Sequence, residues 1–346
     1  MIKLRSFTGL AALVSVMAAV AAGCGGDDET TATDTETTAT SSLKVGLVAD
    51  AGQLNDNGFN ELAFKGLKRA ERELGITGRV VETKSAADYV PNMSTLARQG
   101  FDLIIGVGFA QGDAIAAAAK KFPDTSFAII DVDQAFLKGK PTNVQGLLFR
   151  EEQVGYLVGY LGALEAKRAG GKAISAVGGF KEPPVDRFIA GYKAGAQSAV
   201  PGTTVRWDYS QDWDDQAKCK ELALNQIAAG SKVVFQVAGG CGLGALSAAK
   251  DERVWGIGVD GDQSFLGEHV LTSALKGVDS AVFLTIRSVE DDTFSGGKNV
   301  VFGIQEEGVG LGTLSPKANA DDVAAVKDVE EKLAGGEIAD IPTTVG

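Results

Sequence analysis

Short apolar runs of strand length alternate with amphipathic stretches of helix length along most of this chain. Residues 43–48 form the first apolar run, and residues 60–74 follow with apolar positions at helical spacing that end before Gly75. Further strands are predicted at 79–83, 101–106, 126–130, 172–177, 203–209, 232–237 and 254–258. Further helices are predicted at 92–98, 112–121, 153–167, 185–199, 214–229 and 243–250, and the apolar runs 269–275 and 300–305 follow with a helix at 278–291 between them. Such alternation is typical of an α/β fold with parallel sheets.

Two consecutive sets of this alternation predict two doubly wound parallel-sheet lobes. Lobe 1 is expected over about residues 43–147 with a returning segment at about 272–300. Lobe 2 is expected over about residues 148–271 with the C-terminal segment, so that residues 43–346 make up the folded part. Open α/β sheets bind ligands outside the carboxyl ends of their strands. We therefore expect a ligand cleft where the loops of the two lobes face each other.

The N-terminus has the pattern of a secretory signal peptide. Lys3 and Arg5 precede an uncharged apolar run over residues 7–22, which ends in small residues directly before Cys24. This end resembles a bacterial lipobox, which predicts that residues 1–23 are removed and that Cys24 is acylated as the new N-terminus. An ordinary signal peptide with an incidental cysteine is the alternative. The run is too short for a comfortable membrane span, which needs about 20 apolar residues.

The segment that follows Cys24 predicts a tether. Residues 27–42 are dominated by threonine and acidic residues and contain no apolar residue except alanine. Such a composition buries too little surface to offset the entropy of ordering, so residues 24–42 are expected to be disordered. The protein is then lipid-anchored at the cell membrane, on its extracytoplasmic face.

The charge of the chain excludes several classes of function. The net charge of −12 gives no basic surface for nucleic acid, and membrane attachment must come from lipid rather than from a polybasic patch. His269 is the single histidine, which makes a His-based catalytic triad or metal cluster hard to build. We therefore predict no catalytic residues, no metal and no cofactor, and expect the protein to act as a monomer.

Two cysteines remain once Cys24 is assigned to lipid. Cys219 falls early in a predicted helix, and Cys241 falls just after the strand predicted at 232–237. A helix begins where a strand ends in a βαβ unit, so both cysteines belong at the same edge of the sheet. In an extracytoplasmic compartment we expect a disulfide, with two buried thiols as the alternative.

Several polar turns after predicted strands hold candidate ligand-binding residues. The carboxylates of Asp50, Asp113 and Asp260 are hydrogen-bond acceptors that suit sugar hydroxyls or a base N–H. Phe59 and Trp213 lie in polar turns rather than on apolar faces, where aromatic rings can stack on a flat ligand. The alternatives are that these aromatic residues pack on their own lobes, that Asp113 caps a helix and that Asp50 forms an Asx turn.

A series of motifs in the same order resembles one family. The stretch LVADAGQLNDNGFNELAFKGLKRA, then GVGFAQGDAI, FAIIDVD, VGGFKEPPVDRFIAGYKAG, VWGIGVDGDQ, VLTSALKGVD and EEGVGLGTLSP are similar to motifs of the basic membrane protein family. These are solute-binding lipoproteins of bacterial ABC importers, and their purine nucleoside receptor branch is the best described. The resemblance covers about residues 43–316 and implies the type I periplasmic-binding-protein fold.

The resemblance also implies roles for particular residues. It places Asp50, Phe59 and Asn60 in the cleft, with Phe59 stacked on the base and the loop of Asp113 reading a base edge. Trp213 stands where the family commonly has a second stacking phenylalanine, and the backbone at Gly240 can approach the ligand. Asp260 and Lys276 correspond to residues that hold ribose hydroxyls. The implied ligand is a nucleoside, with purine nucleosides first, and the implied partners are the permease and ATPase subunits of an ABC importer.

Several departures and rival interpretations accompany this resemblance. Gly52-Gln53 and Asn55-Asp56 replace the glycines and the acidic pair usual in the first loop, and the Cys219/Cys241 pair is not a general feature of the family. A sugar-binding lipoprotein of the same fold would also use aromatic residues and carboxylates. A nucleoside-sensing lipoprotein without transport is a further alternative. A ligand-responsive transcription factor would need a DNA-binding head where this chain has a signal peptide.

Overall fold

The computed structural model describes residues 41–346, so Cys24, the signal peptide and most of the predicted tether lie outside the described residues. The strands are β1 (Lys44–Ala51), β2 (Thr77–Thr83), β3 (Leu103–Gly106), β4 (Ser126–Ile130), β5 (Val144–Phe149), β6 (Ala173–Gly178), β7 (Thr204–Tyr209), β8 (Ser231–Val237), β9 (Trp255–Asp260), β10 (Val270–Lys276), β11 (Asn299–Phe302) and β12 (Val309–Leu311). The helices are α1 (Phe59–Leu74), α2 (Tyr89–Arg98), α3 (Gly112–Lys121), α4 (Glu151–Arg168), α5 (Pro183–Ala199), α6 (Gln216–Ala228), α7 (Gly242–Asp251), α8 (Val278–Glu290) and α9 (Ala320–Ala334).

These strands form two sheets of six strands each among the described residues. The first has the order β11-β5-β4-β3-β1-β2 and is parallel throughout. The second has the order β12-β10-β9-β8-β6-β7, in which only β12 runs antiparallel to its neighbour. The central strands are buried on both faces, as parallel sheets covered by helices require. The two doubly wound lobes predicted from the alternation are confirmed.

The chain crosses between the sheets later than the predicted boundary at about residue 272. Strand β10 pairs in parallel with β9 of the second sheet, with Ser273 opposite Gly258 and Ala274 opposite Val259. The return to lobe 1 therefore follows Lys276, where α8 packs on α1 and β11 joins β5. Strand β5 also extends the first lobe to Phe149. Neither β5, β12 nor α9 was among the elements predicted from periodicity.

The start of α1 is fixed by a side chain from the preceding turn. The carboxylate of Asp56 accepts hydrogen bonds from the backbone N–H groups of Gly58, Asn60 and Glu61 at 2.9, 2.9 and 3.2 Å. These donors have no partner within the helix, so the carboxylate satisfies them. Its negative charge also interacts favourably with the positive end of the helix dipole. The turn before α1, which contains Phe59 at its end, is thereby held in one conformation.

The glycines of α4 and α5 allow an unusually close helix pair. A Cβ at Gly155 or Gly159 would overlap backbone carbonyls of α5, and one at Gly191 or Gly195 would overlap those of α4. Because the backbones touch directly, the relative position of the two helices is tightly set. The N-termini of both helices lie near the cleft, so this packing positions the residues there. Within residues 41–346 no helix has the length and apolar character needed to cross a membrane.

Candidate functional site

A cavity lies between the two lobes, where strands of both sheets end. Lobe 1 lines it with Asp50, Ala51, Gly52, Gln53, Asp56, Phe59, Asn60, Gly108, Phe109 and Asp131. The second sheet and its helices line it with Glu182, Pro184, Val185, Phe188, Trp213, Asp214, Val237, Gly239, Gly240, Val259, Asp260 and Lys276.

The lobe 1 wall is built around the end of β1. The carboxylate of Asp50 accepts a hydrogen bond from the Tyr89 hydroxyl and another, at 2.8 Å, from the N–H of Ala51. The backbone N–H of Asp50 donates to the side-chain oxygen of Asn60 at 3.0 Å, which ties the strand end to α1. Burial raises the pKa of Asp50 to about 6, against the lowering effect of its hydrogen bonds. Gly108 approaches this carboxylate so closely that a Cβ there would overlap it.

Lys276 is the centre of a buried ionic network that joins the lobes. Its ammonium group lies 2.7 Å from both carboxylate oxygens of Asp131 and 2.9 Å from Oε1 of Glu151. Lys276 is 2% exposed and the side chain of Glu151 is fully buried. Burial by itself would lower the pKa of Lys276, but the charges of Asp131, Glu151 and Asp260 raise it above its ordinary value. Lys276 is therefore a fixed positive charge in the cleft.

The aromatic ring of Phe59 lies beside the ammonium group of Lys276. The ammonium group of Lys276 lies 5.0 Å from the centroid of the Phe59 ring and 4.9 Å from that of Phe149. A cation at this distance is attracted to the negative face of a ring. Phe59 is half-buried and its remaining surface lines the cavity.

The carboxylate of Asp260 enters the cavity at the end of β9. Its backbone is in the left-handed region with a φ of 62°, as is that of Asp131 with a φ of 69° at the end of β4. Aspartate tolerates this region better than most residues, and such positions concentrate at functional sites. Burial of the carboxyl raises the pKa of Asp260 to about 7, although the charge of Lys276 lowers it. No protein hydrogen bond to this carboxylate is formed within residues 41–346, so its oxygens are available to a ligand.

The lobe 2 wall is dominated by Trp213. Its ring packs on the backbone of Gly179, where any Cβ would overlap the ring, and lies 5.3 Å from the ring of Phe180 between centroids. The carbonyl of Trp213 accepts a hydrogen bond of 2.8 Å from the N–H of Cys241, the residue after Gly240. The Cys219–Cys241 disulfide, with Cα atoms 5.6 Å apart, fixes this region to α6. The predicted disulfide is thus present, and it stabilises the loop that carries Trp213.

The lobes also contact each other directly across the cleft. The N–H of Gln53 donates to a carboxylate oxygen of Asp214 at 3.3 Å, and the side-chain amide of Gln263 donates to the carbonyl of Asn57 at 3.4 Å. Each bond joins a lobe 1 loop to a lobe 2 loop. The conformation is therefore a closed one, in which the walls are close enough to contact a ligand from both sides.

The structure brings together all but one of the residues that the sequence predicted for the cleft. Asp50, Phe59, Asn60, Trp213, Gly240, Asp260 and Lys276 all line the cavity. Asp113 does not: it is exposed in the first turn of α3, while Gly108 and Phe109 from the same loop line the cavity instead. The helix has rotated the Asp113 side chain away from the cleft, which is the physical reason for the difference.

Several acidic residues in or beside the cleft were not singled out from the sequence, among them Asp131, Glu151 and Glu182. Asp131 follows a buried strand, as Asp50 and Asp260 do, so the same reasoning could have found it. Glu151 and Glu182 precede or begin helices, and nothing in their local sequence distinguishes them from helix-capping residues. Lys276, which the resemblance groups with Asp260, forms ion pairs with Asp131 and Glu151, while the charge of Asp260 raises its pKa without a direct bond.

Comparisons with known proteins agree with this geometry. A family model described as "Bmp: ABC transporter substrate-binding protein PnrA-like" matches residues 43–342. The chain is 34% identical over 336 residues to the ABC transporter nucleoside-binding protein BmpA of Lactococcus lactis, which covers 91% of this chain and 92% of that one. It is 32% identical over 307 residues to basic membrane protein B of Borrelia garinii, covering 86% of this chain and 87% of that one.

A solved structure has the same two-lobed architecture. The solute-binding protein of an ABC transporter system from Aeropyrum pernix superposes with a TM-score of 0.78 at 28% identity, over 87% of this chain and 94% of that one. The periplasmic-binding-protein fold expected from the resemblance is thereby confirmed. The family match spans both lobes and the cleft between them. The chain therefore belongs to the Bmp family of PnrA-like ABC transporter substrate-binding proteins.

Proposed function

We propose that this protein captures a nucleoside, with purine nucleosides as the expected class, and delivers it to an ABC importer. Binding, rather than turnover, is the proposed activity. The observation that carries the proposal is the convergence of two kinds of group in one cavity: aromatic rings from both lobes, and a lysine–carboxylate cluster beside them. A nucleoside consists of the same two parts, a flat base and a hydroxyl-rich sugar.

The aromatic residues suit the base. Phe59 comes from lobe 1 and Trp213 from lobe 2, so closure of the cleft moves one ring toward the other. Stacking on an aromatic side chain contributes about 1–3 kcal/mol per base and is largely indifferent to which base is present. The support of Trp213 by Gly179 and by the disulfide limits the rotamer freedom that the ring loses when ligand binds.

The ionic cluster suits the ribose. The free carboxylate oxygens of Asp260 can accept hydrogen bonds from vicinal hydroxyls. The ammonium group of Lys276 can donate to a hydroxyl oxygen by exchanging one of its two contacts with Asp131. A relative that is 34% identical is named a nucleoside-binding protein, which supports this assignment. The same groups could hold a free sugar. Binding of a sugar in place of a nucleoside would therefore change the assigned ligand class.

The lipid anchor remains a proposal from the sequence. Residues 1–23 as signal peptide and Cys24 as the acylated N-terminus lie outside the described residues. A relative named basic membrane protein supports membrane association. The anchor and the tether of residues 24–42 would keep the binding domain close to its permease on the extracytoplasmic face.

The experiment compares nucleosides with their free bases by calorimetry in two variants. Asp260→Ala should weaken nucleoside binding by about ten- to a hundredfold, because a buried hydrogen-bonded charge is lost, and should leave the free base nearly unchanged. Trp213→Ala should weaken nucleoside and base together, since the ring contacts only the base. Asp113→Ala and Trp207→Ala are matched controls, because neither residue lines the cavity. Tight binding of pentoses or hexoses with no binding of nucleosides would overturn the proposal.

A further inference from the structure

Glu182 brings a second negative charge to the part of the cleft that contains Asp50. It lines the cavity from lobe 2, directly before α5, while Asp50 lines it from lobe 1. The charges of Asp50 and Asp131 both act on the Glu182 carboxyl, which lies within electrostatic reach of lobe 1. Among residues 41–346, no side chain or backbone N–H donates a hydrogen bond to the Glu182 carboxylate.

The local sequence explains why this carboxylate is unpartnered. Glu182 occupies the N-cap position of α5, where an acidic side chain ordinarily accepts hydrogen bonds from the first backbone N–H groups of the helix. The next two residues are Pro183 and Pro184, which have no N–H, so Val185 has the first backbone N–H of the helix that could donate to a cap. No side-chain cap forms, and the carboxylate extends into the cavity instead.

The positive groups nearby are already paired with other acids. Lys276 is bonded to Asp131 and Glu151, and Arg187 lies 3.6 Å from the other oxygen of Glu151. Lys181, the neighbour of Glu182 in the chain, points to Asp186 at 3.1 Å. The other groups that face this carboxylate are Asp50, Asp131 and the Tyr89 hydroxyl, and that hydroxyl donates to Asp50. Among residues 41–346 no donor is thus left for Glu182, and a ligand in the cavity can supply one.

An ionised carboxylate accepts hydrogen bonds and donates none, which restricts the base edge that it can face. Guanine presents two adjacent donors, its ring N1–H and its 2-amino group, and they match the two oxygens of one carboxylate. Hypoxanthine presents only the N1–H. Adenine presents an amino group beside an acceptor nitrogen, whose lone pair would face a carboxylate oxygen. A carboxylate at this position therefore favours guanine over hypoxanthine, and hypoxanthine over adenine.

We propose that Glu182 reads the Watson–Crick edge of the bound base and makes guanosine the preferred ligand of this cleft. This inference rests on the proposed nucleoside-binding function and specifies its substrate. Asp260 and Lys276 hold the sugar, Phe59 and Trp213 hold the faces of the base, and Glu182 reads its edge. The three tasks fall on different side chains and can be tested separately.

The ionisation of Glu182 gives the proposal a characteristic pH dependence. Burial, together with the smaller effect of the charges of Asp50 and Asp131, raises the pKa of Glu182 to about 7. Above this pH the carboxylate accepts two hydrogen bonds from guanine. Below it the protonated carboxyl both donates and accepts, which matches adenine. The preference for guanosine over adenosine should therefore increase as the pH rises from 6 to 8.

The test is calorimetry with guanosine, inosine and adenosine at pH 6 and pH 8, on the wild-type protein and on Glu182→Gln. Wild type should bind guanosine at least about tenfold more tightly than adenosine at pH 8, with inosine between them. Because an amide both donates and accepts, Glu182→Gln should weaken guanosine by about ten- to a hundredfold, improve adenosine, and remove the pH dependence of their ratio. Glu152→Gln is the matched control: Glu152 is a buried acid near the start of α4 that does not line the cavity.

The outcomes separate the two proposals. If the wild-type protein binds no nucleoside, the proposed function fails and the role of Glu182 fails with it. If nucleosides bind but Glu182→Gln leaves the order of guanosine and adenosine unchanged, the role of Glu182 is refuted while the function stands. A guanosine-to-adenosine ratio that is equal at pH 6 and pH 8 in the wild type would also overturn it.

Discussion

Replacement of Lys276 with methionine removes the positive charge nearest to two buried carboxylates, those of Asp131 and Glu151, and leaves only Arg187, 3.6 Å away, beside Glu151 among the described residues. The Lys276 ammonium is 2.7 Å from Asp131 and 2.9 Å from Glu151, and their side chains are 4% and 0% exposed. Breaking a buried ion pair by deleting one partner typically costs about 3–5 kcal/mol, since the remaining charge is left desolvated. We expect Lys276→Met to lower the free energy of unfolding by about that amount at pH 7.5.

The cost should depend on pH in a direction that the structure fixes. Burial raises the pKa of Glu151 to about 7 even with Lys276 present, and the charge of Lys276 lowers it, so its pKa must be higher still in the variant. A carboxyl whose folded pKa is raised is favoured in its neutral form, so its contribution to stability is present at low pH and is lost as the pH rises. Each carboxyl that stays neutral in the folded state lowers the free energy of unfolding by about 1.4 kcal/mol for every pH unit between its unfolded and its folded pKa. The penalty of Lys276→Met should therefore be smaller at pH 5 than at pH 7.5.

Urea unfolding of the ligand-free protein at both pH values measures this penalty. Lys218→Met is the matched control, since Lys218 forms an ion pair of 2.6 Å with Asp212 at the surface, where solvent screens the pair. The triple variant with Asp131→Asn and Glu151→Gln should recover part of the loss, because it removes the uncompensated charges. The reasoning is refuted if Lys276→Met costs no more than Lys218→Met, or if its penalty is larger at pH 5 than at pH 7.5.

Two further predictions concern the covalent features of the chain. Cys219→Ala with Cys241→Ala should lower the free energy of unfolding by about 3 kcal/mol and weaken ligand binding through the Trp213 loop, as measured by urea unfolding and calorimetry. A reductant that leaves the unfolding midpoint of the wild type unchanged would contradict this. Cys24→Ser should abolish fatty-acid labelling and release the protein from the membrane fraction, and persistent labelling would rule out Cys24 as the anchor.

The sequence determined the features that depend on local periodicity and on the rules of α/β topology. The alternation of apolar runs and amphipathic stretches was enough to predict two doubly wound lobes, because strand and helix periodicities are properties of neighbouring residues. Parallel strands place their carboxyl ends at one edge, so Asp50 and Asp260 could be assigned to the cleft from their positions after strands. The same rule placed Cys219 and Cys241 at one edge, where the disulfide is found.

The tertiary structure alone decided which charges meet. Lys276, Asp131 and Glu151 are far apart in the chain, and their contact depends on how the two lobes close and on where the chain crosses between them. The direction of a side chain within the first turn of a helix also depends on the tertiary structure. Asp113 lies at the start of a helix beside the cleft, and its side chain still faces solvent.

Glu182 is a second residue whose role could not be predicted from its local sequence. Its sequence context, an acid before two prolines, describes a helix start, and only the opposing lobe makes it part of a ligand site. Periodicity and capping act over a few residues, whereas the identity of an electrostatic partner is set by packing between distant segments. The fold and the location of the cleft could therefore be predicted from the sequence, but the ionic network inside the cleft could not.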